Sequence, residues 1–161
     1  MQTDDARMVL AAWRENVLTD AQVAEWAAEA LEATPAKDLP EWLLDLCMYG
    51  VSACMNRPSS EFLDVPFLSF AERLAIRARK LDPSRSDQMA EFIDWVSRAC
   101  MGQDLGRPEV LFGYYVDHLW SDCGKMDEAQ AYVRKELPEI ARSLPEVAPE
   151  LDRLLLQQRE K

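Results

Sequence analysis

Apolar residues recur at spacings of three and four along this chain, and the strict alternation that a half-buried strand requires is almost absent. That periodicity predicts an all-α protein. Residues 1–161, 48% apolar and 29% charged, can bury a core without disulfides or metals. The expectation is one domain, a compact bundle of about seven or eight helices, with a tail over 157–161 that frays.

Local signals divide the chain. A first helix over about 4–16 carries Ala6, Val9, Leu10, Trp13 and Val17 on one face. Thr19-Asp20-Ala21-Gln22 is a capping box, and Leu18 is placed to staple to Val23, so a second helix with Val23, Trp26, Ala27 and Ala30 inward begins there. Asp38-Leu39-Pro40-Glu41 repeats the start signal with proline early in the first turn, where its missing donor is harmless. The third helix then carries Trp42, Leu43, Leu46 and Cys47 to an interruption at Gly50. Asn56-Arg57-Pro58-Ser59-Ser60 is a turn.

Pro66 opens the next helix, with Phe67, Ala71, Leu74, Ala78 and Leu81 as core stripe and Ile76 opposite, where it must meet another element or be exposed. Ser86 caps a helix whose Met89, Phe92, Ile93, Val96 and Cys100 hold near-ideal spacing. After the turn Asp104–Pro108, a segment to about 122 is apolar nearly all round, with Val110, Leu111, Phe112, Tyr114, Tyr115, Val116, Leu119 and Trp120. Such a helix belongs at a bundle centre or under a partner, so a homo-oligomer stays open. Gly124 precedes a helix from about Met126; Pro138, Pro145 and Pro149 break the tail into short turns before a last helix with Leu151, Leu154 and Leu155. Trp26, Trp42, Phe92, Ile93 and Leu119 are the expected core.

The net charge of −11 is uneven: residues 1–50 carry ten acids against three bases, whereas residues 57–85 carry six bases against four acids. A field of this sign repels phosphate backbones and attracts a basic protein, so nucleic acid is not an expected partner. Met1-Gln2-Thr3-Asp4-Asp5 is acidic where a secretory signal is basic, and no stretch approaches the ~18 apolar residues of a membrane span, which points to the cytoplasm. Cysteines at 47, 54, 100 and 123 match neither a zinc pair nor a redox dithiol, and Cys47 and Cys100 fall on apolar stripes where a thiol acts as a small hydrophobe. No phosphate-cradling loop, metal-ligand spacing or catalytic motif is present, so no cofactor, metal or catalytic residue is assigned.

Two groups of residues remain as candidate sites. Glu25, Glu29 and Glu32 share the outer face of the second helix and, with Asp38 and Glu41, form a dense negative region suited to steering a basic partner. His118, the one histidine, shares a helical face with Tyr114 and Tyr115 and makes them a possible pocket; Asp117 points elsewhere, and Cys123, five residues on, falls off that face. A basic edge of Arg73, Arg77 and Lys80, with Arg79 and Arg85 beyond, reads as a flank paired with neighbouring acids.

Gly124-Lys125-Met126-Asp127-Glu128-Ala129 resembles the inter-helix turn of a tetratricopeptide repeat, and Ala71, Ala78 and Pro83 the end of another, but the two do not lie a multiple of 34 residues apart, so the likeness reaches only to helical hairpins. In general character, Leu18-Thr19 through Trp26 to Pro40-Glu41-Trp42-Leu43 in an acidic helical chain is similar to bacterial immunity proteins, without a specific motif. That resemblance implies a non-catalytic, immunity-like or adaptor-like protein that binds a basic partner by charge and shape. The competing expectation is an enzyme or small-molecule binder with a pocket beside Tyr114, Tyr115 and His118.

Overall fold

Capping chemistry sets where several helices begin. In the computed structural model, which describes residues 3–58 and 60–159 (backbone only for 158 and 159), Thr19 accepts from the Gln22 backbone N–H while the Gln22 side chain accepts from Thr19 N–H, closing the expected capping box at the start of α2 (Asp20–Ala33). A second such box opens α5 (Phe70–Lys80), where Ser69 and Glu72 exchange the same two bonds. The remaining helices are α1 (Thr3–Arg14), α3 (Glu41–Tyr49), α4 (Val51–Met55), α6 (Ser86–Ala99), α7 (Pro108–Asp117), α8 (Met126–Ala141) and α9 (Pro149–Arg159). The chain is all-α, with nine α-helices and no strand among the described residues.

The chain divides into two units, Met1–Phe67 with Ala148–Leu151, and Leu68–Val147 with Asp152–Lys161. In the first, α2 packs on α1, α3 and α4. Val9, Leu10, Val23, Trp26, Ala27, Leu43 and Leu46 are buried, with Trp42 half-buried and its ring stacked on Trp26 at 6.4 Å. Trp26 is held from its polar end as well, because its Nε1–H donates to Glu150 Oε1 at 3.0 Å. Gly50, at φ 80°, separates α3 from α4 in a conformation that a side chain disfavours. This added α4 beyond the expected helices.

In the second unit α5, α6, α7 and α8 pack around one apolar cluster. The α6 stripe of Met89, Phe92, Ile93, Val96 and Cys100 is wholly buried, as its spacing requires, and Leu119 is buried at its edge. Gly113 lets α7 approach α6 closely: a Cβ built there would lie 2.6 Å from Cys100 Cβ. Ile76 resolves to a buried position, 2% exposed.

Several expected features lie elsewhere. Pro66 does not open α5; residues 63–69 are without helix, and Phe67, expected in the core, is 87% exposed with the Arg14 guanidinium 4.1 Å from its ring centroid. The two reciprocal cap bonds at Ser69 outweigh a proline that is merely tolerated. Ser86 is the first residue of α6 rather than its cap, which is Arg85 without a side-chain bond, and Pro40 is likewise the cap residue of α3. Cys47 is exposed, and Cys54 takes the buried place instead. Pro138 does not break the chain: it sits exposed in the last turn of α8, so the face that loses its bond is turned to water. Of the tail expected to fray, residues 157–159 continue α9; Glu160 and Lys161, like Ser59 of the predicted turn, lie outside the described residues.

Candidate functional site

The acidic residues singled out in the sequence all reach solvent. Glu25, Glu29 and Glu32 lie on the face of α2 opposite Val23, Trp26 and Ala27; Asp38 ends a short 3-10 turn (Ala36–Asp38), and Glu41 begins α3. All five are exposed. On α3 these acids share the surface with apolar residues that the charge pattern does not mark. Helical spacing places Leu44 and Met48 on the same side as Glu41, opposite buried Leu43 and Leu46, and both stand in water, Met48 at 71% exposure. Tyr49, also exposed, carries the Arg57 guanidinium 4.7 Å above its ring, and Arg57 bonds Asp45 at 2.6 Å. The signal was present: Leu44 and Met48 are four apart and off the core stripe, so one helix carries two apolar faces.

The aromatic–histidine group is split by the structure. Tyr114 is half-buried, and its hydroxyl accepts the Gly102 N–H at 3.1 Å. Tyr115 is 48% exposed, its ring tilted against that of Tyr132 with centroids 4.5 Å apart, and its centroid lies 6.4 Å from that of the His118 ring. Leu111 is also exposed, so α7, expected at a bundle centre or under a partner, buries its other faces and turns one apolar edge outward. The His118 side chain is 57% exposed.

Past Asp117 the helix changes register. Cys123 N–H donates to His118 O at 3.1 Å, five residues back, and the turn closes with Gly124 at φ 65° and Lys125 N–H on Leu119 O at 2.9 Å. This π turn (His118–Asp122) corrects the expectation that Cys123 falls off the histidine face. Its Sγ stands 3.6 Å from His118 Nε2, while Asp122 Oδ2 stands 3.0 Å from Nδ1. A carboxylate only accepts, so Nδ1 carries the hydrogen, and in the neutral ring Nε2 then presents its lone pair to the thiol.

Elsewhere in this unit α5 and α8 enclose a groove of about 410 Å³ with walls that include Ala75, Ala78, Leu137, Ala141 and Leu144. Its two guanidiniums are engaged: Arg79 binds Asp152 bidentately, and Arg134 donates to Pro83 O and Gln130 Oε1. The basic edge of α5 is interleaved with acids, since Arg77, Lys80 and Arg85 border a hollow shared with Asp87 and Glu91. Burial, then the Arg77 charge, pushes the Lys80 ammonium down from its ordinary value. Among the described residues no three metal-ligating side chains converge, and no helix is long and apolar enough to cross a membrane. Comparison with protein-family models, curated proteins and solved structures gives no match.

Proposed function

We propose that this is a small, non-catalytic cytoplasmic protein that binds a basic protein partner through α3 and the acids around it. The observation that carries the reading is Leu44, Met48 and Tyr49 exposed on the helix that Glu41 begins, with Asp38, Glu32, Glu29 and Glu25 on the preceding turn and helix. Covering a large apolar side chain is worth roughly 1.5–3 kcal/mol, so such residues supply affinity when a partner removes them from water. The acids contribute the approach rate and the orientation, and they select a cationic surface. A second copy of this chain would set acid against acid, which disfavours self-association through the same face.

The test is affinity capture at low and moderate salt with the wild type, a Met48→Asp/Leu44→Asp variant and a Glu25→Lys/Glu29→Lys/Glu32→Lys variant. Support requires a basic protein retained by the wild type, released by salt, and lost from both variants. Retention that survives both variants, or no retention at either salt, overturns the reading.

A further inference from the structure

We propose that Cys123 is a covalent modification site, a thiol that exchanges with low-molecular-weight disulfides, with His118 as its proton acceptor and Asp122 as the residue that positions the imidazole. The inference rests on the second unit alone and is independent of the binding face. Nucleophile, base and orienting carboxylate stand in the required order: Sγ 3.6 Å from Nε2, and Nδ1 3.0 Å from Oδ2. Cys123 is exposed, so a disulfide reaches it without any opening of the fold.

The surroundings select the chemistry. Acyl transfer needs backbone donors free to hold an oxyanion. Here the N–H groups of Cys123, Gly124 and Lys125 are already given to His118 O, Trp120 O and Leu119 O, at 3.1, 3.0 and 2.9 Å. Exchange at sulfur develops no oxyanion and needs only a thiolate with access. In the reaction Nε2 takes the proton of Cys123, the thiolate attacks one sulfur of R–S–S–R, and the Sγ–S bond forms as the reagent's S–S bond breaks. The departing thiolate then takes the proton from the imidazolium. Cys123 is oxidised to the mixed disulfide and one reagent sulfur is reduced to RSH, so protons and electrons balance without a further reactant.

The other cysteines serve as internal controls. Cys47 is exposed, and the one histidine of the chain is already set against Cys123; slight burial also pushes the Cys47 thiol up. Cys54 and Cys100 are buried, and burial, then the Asp117 charge, pushes the Cys100 thiol up to about 11.

The experiment is reaction of the full chain with 4,4′-dithiodipyridine at pH 7, with each modified cysteine assigned by mass spectrometry. Cys123 is expected to react about tenfold faster than Cys47, less than the roughly hundredfold of an enclosed base because water screens this pair. Cys123→Ser removes the fast phase. His118→Gln brings the Cys123 rate down to that of Cys47 while the Cys47 rate and the far-UV spectrum stay unchanged. Asp122→Asn lowers the rate part of the way and moves the His118 ring 15N shifts away from the Nδ1–H tautomer, which a purely structural role would leave alone. A Cys123 rate no greater than that of Cys47, or one unchanged in His118→Gln, overturns the proposal.

Discussion

Replacing Gly113 by alanine tests the packing of the second unit at its tightest point. The added Cβ would lie 2.6 Å from Cys100 Cβ, 3.2 Å from Cys100 Sγ and 3.4 Å from Val96 Cγ2. Carbon pairs rest at roughly 3.5–4.0 Å, so the closest contact is short by about 1 Å. Rotamer changes cannot relieve it, because both carbons are fixed to their backbones; α6 and α7 must separate. Overpacking of this kind costs about 1–3 kcal/mol, and a backbone-fixed clash belongs near the top of that range. Alanine recovers about 1 kcal/mol of helix propensity, leaving a net loss of about 2 kcal/mol. With a urea slope of ~2 kcal/mol/M the midpoint falls by about 1 M, and faster amide exchange in α6 and α7 locates the damage. A double-mutant cycle sharpens the reading. Cys100→Gly removes the opposing carbon and should restore most of the loss as coupling; Cys100→Ala keeps that carbon and should restore little. A Gly113→Ala protein as stable as the wild type, or one rescued equally by both Cys100 variants, would refute the reasoning.

Thr19→Ala and Ser69→Ala should each lower stability by about 1 kcal/mol in denaturant titration, because each opens a reciprocal capping box, whereas Ser86→Ala should stay within ~0.5 kcal/mol because that side chain caps nothing. Ser97, 2% exposed, holds its hydroxyl oxygen without a partner among the described residues, so Ser97→Ala should leave stability unchanged or raise it by up to ~1 kcal/mol; a loss of about that size would mean the hydroxyl is bonded.

The helices whose apolar spacing and end signals agree were legible in the sequence. The α6 stripe from Met89 to Cys100 and the Thr19 box of α2 needed nothing beyond the residues themselves. Pro66 was the expected start of α5, but the helix begins after Ser69, whose capping box with Glu72 satisfies two backbone donors where a proline satisfies none. Phe67 was misplaced with Pro66, since a residue before the cap owes nothing to the helical stripe. Pro138 failed as a stop for the complementary reason. A proline one turn from a helix end removes a single bond, and at an exposed position water replaces it. Gly113 went unmarked because a glycine in an apolar helix shows no sign of the neighbour it admits.

The acidic face was legible because charge on an outer helix face survives most packing arrangements, and its exposed Leu44 and Met48 were legible in principle as a second apolar stripe. The Cys123 group was not, and the cause is one residue of register. Five residues along an α-helix carry a side chain about 140° past a full turn, which sets Cys123 away from His118 and leaves only Asp122, at the four-residue spacing, within reach. Closing the turn through a five-residue hydrogen bond returns Cys123 to the histidine without releasing Asp122, so the two ring nitrogens are engaged by neighbours adjacent in sequence. No residue type from His118 to Gly124 announces that register; it is expressed in the Cys123 N–H bond to His118 O and in the Gly124 turn that follows. The thiol–imidazole contact therefore belongs to the backbone as much as to the side chains. For that reason the reactivity of Cys123, set against exposed Cys47 in the same molecule, measures the π turn directly.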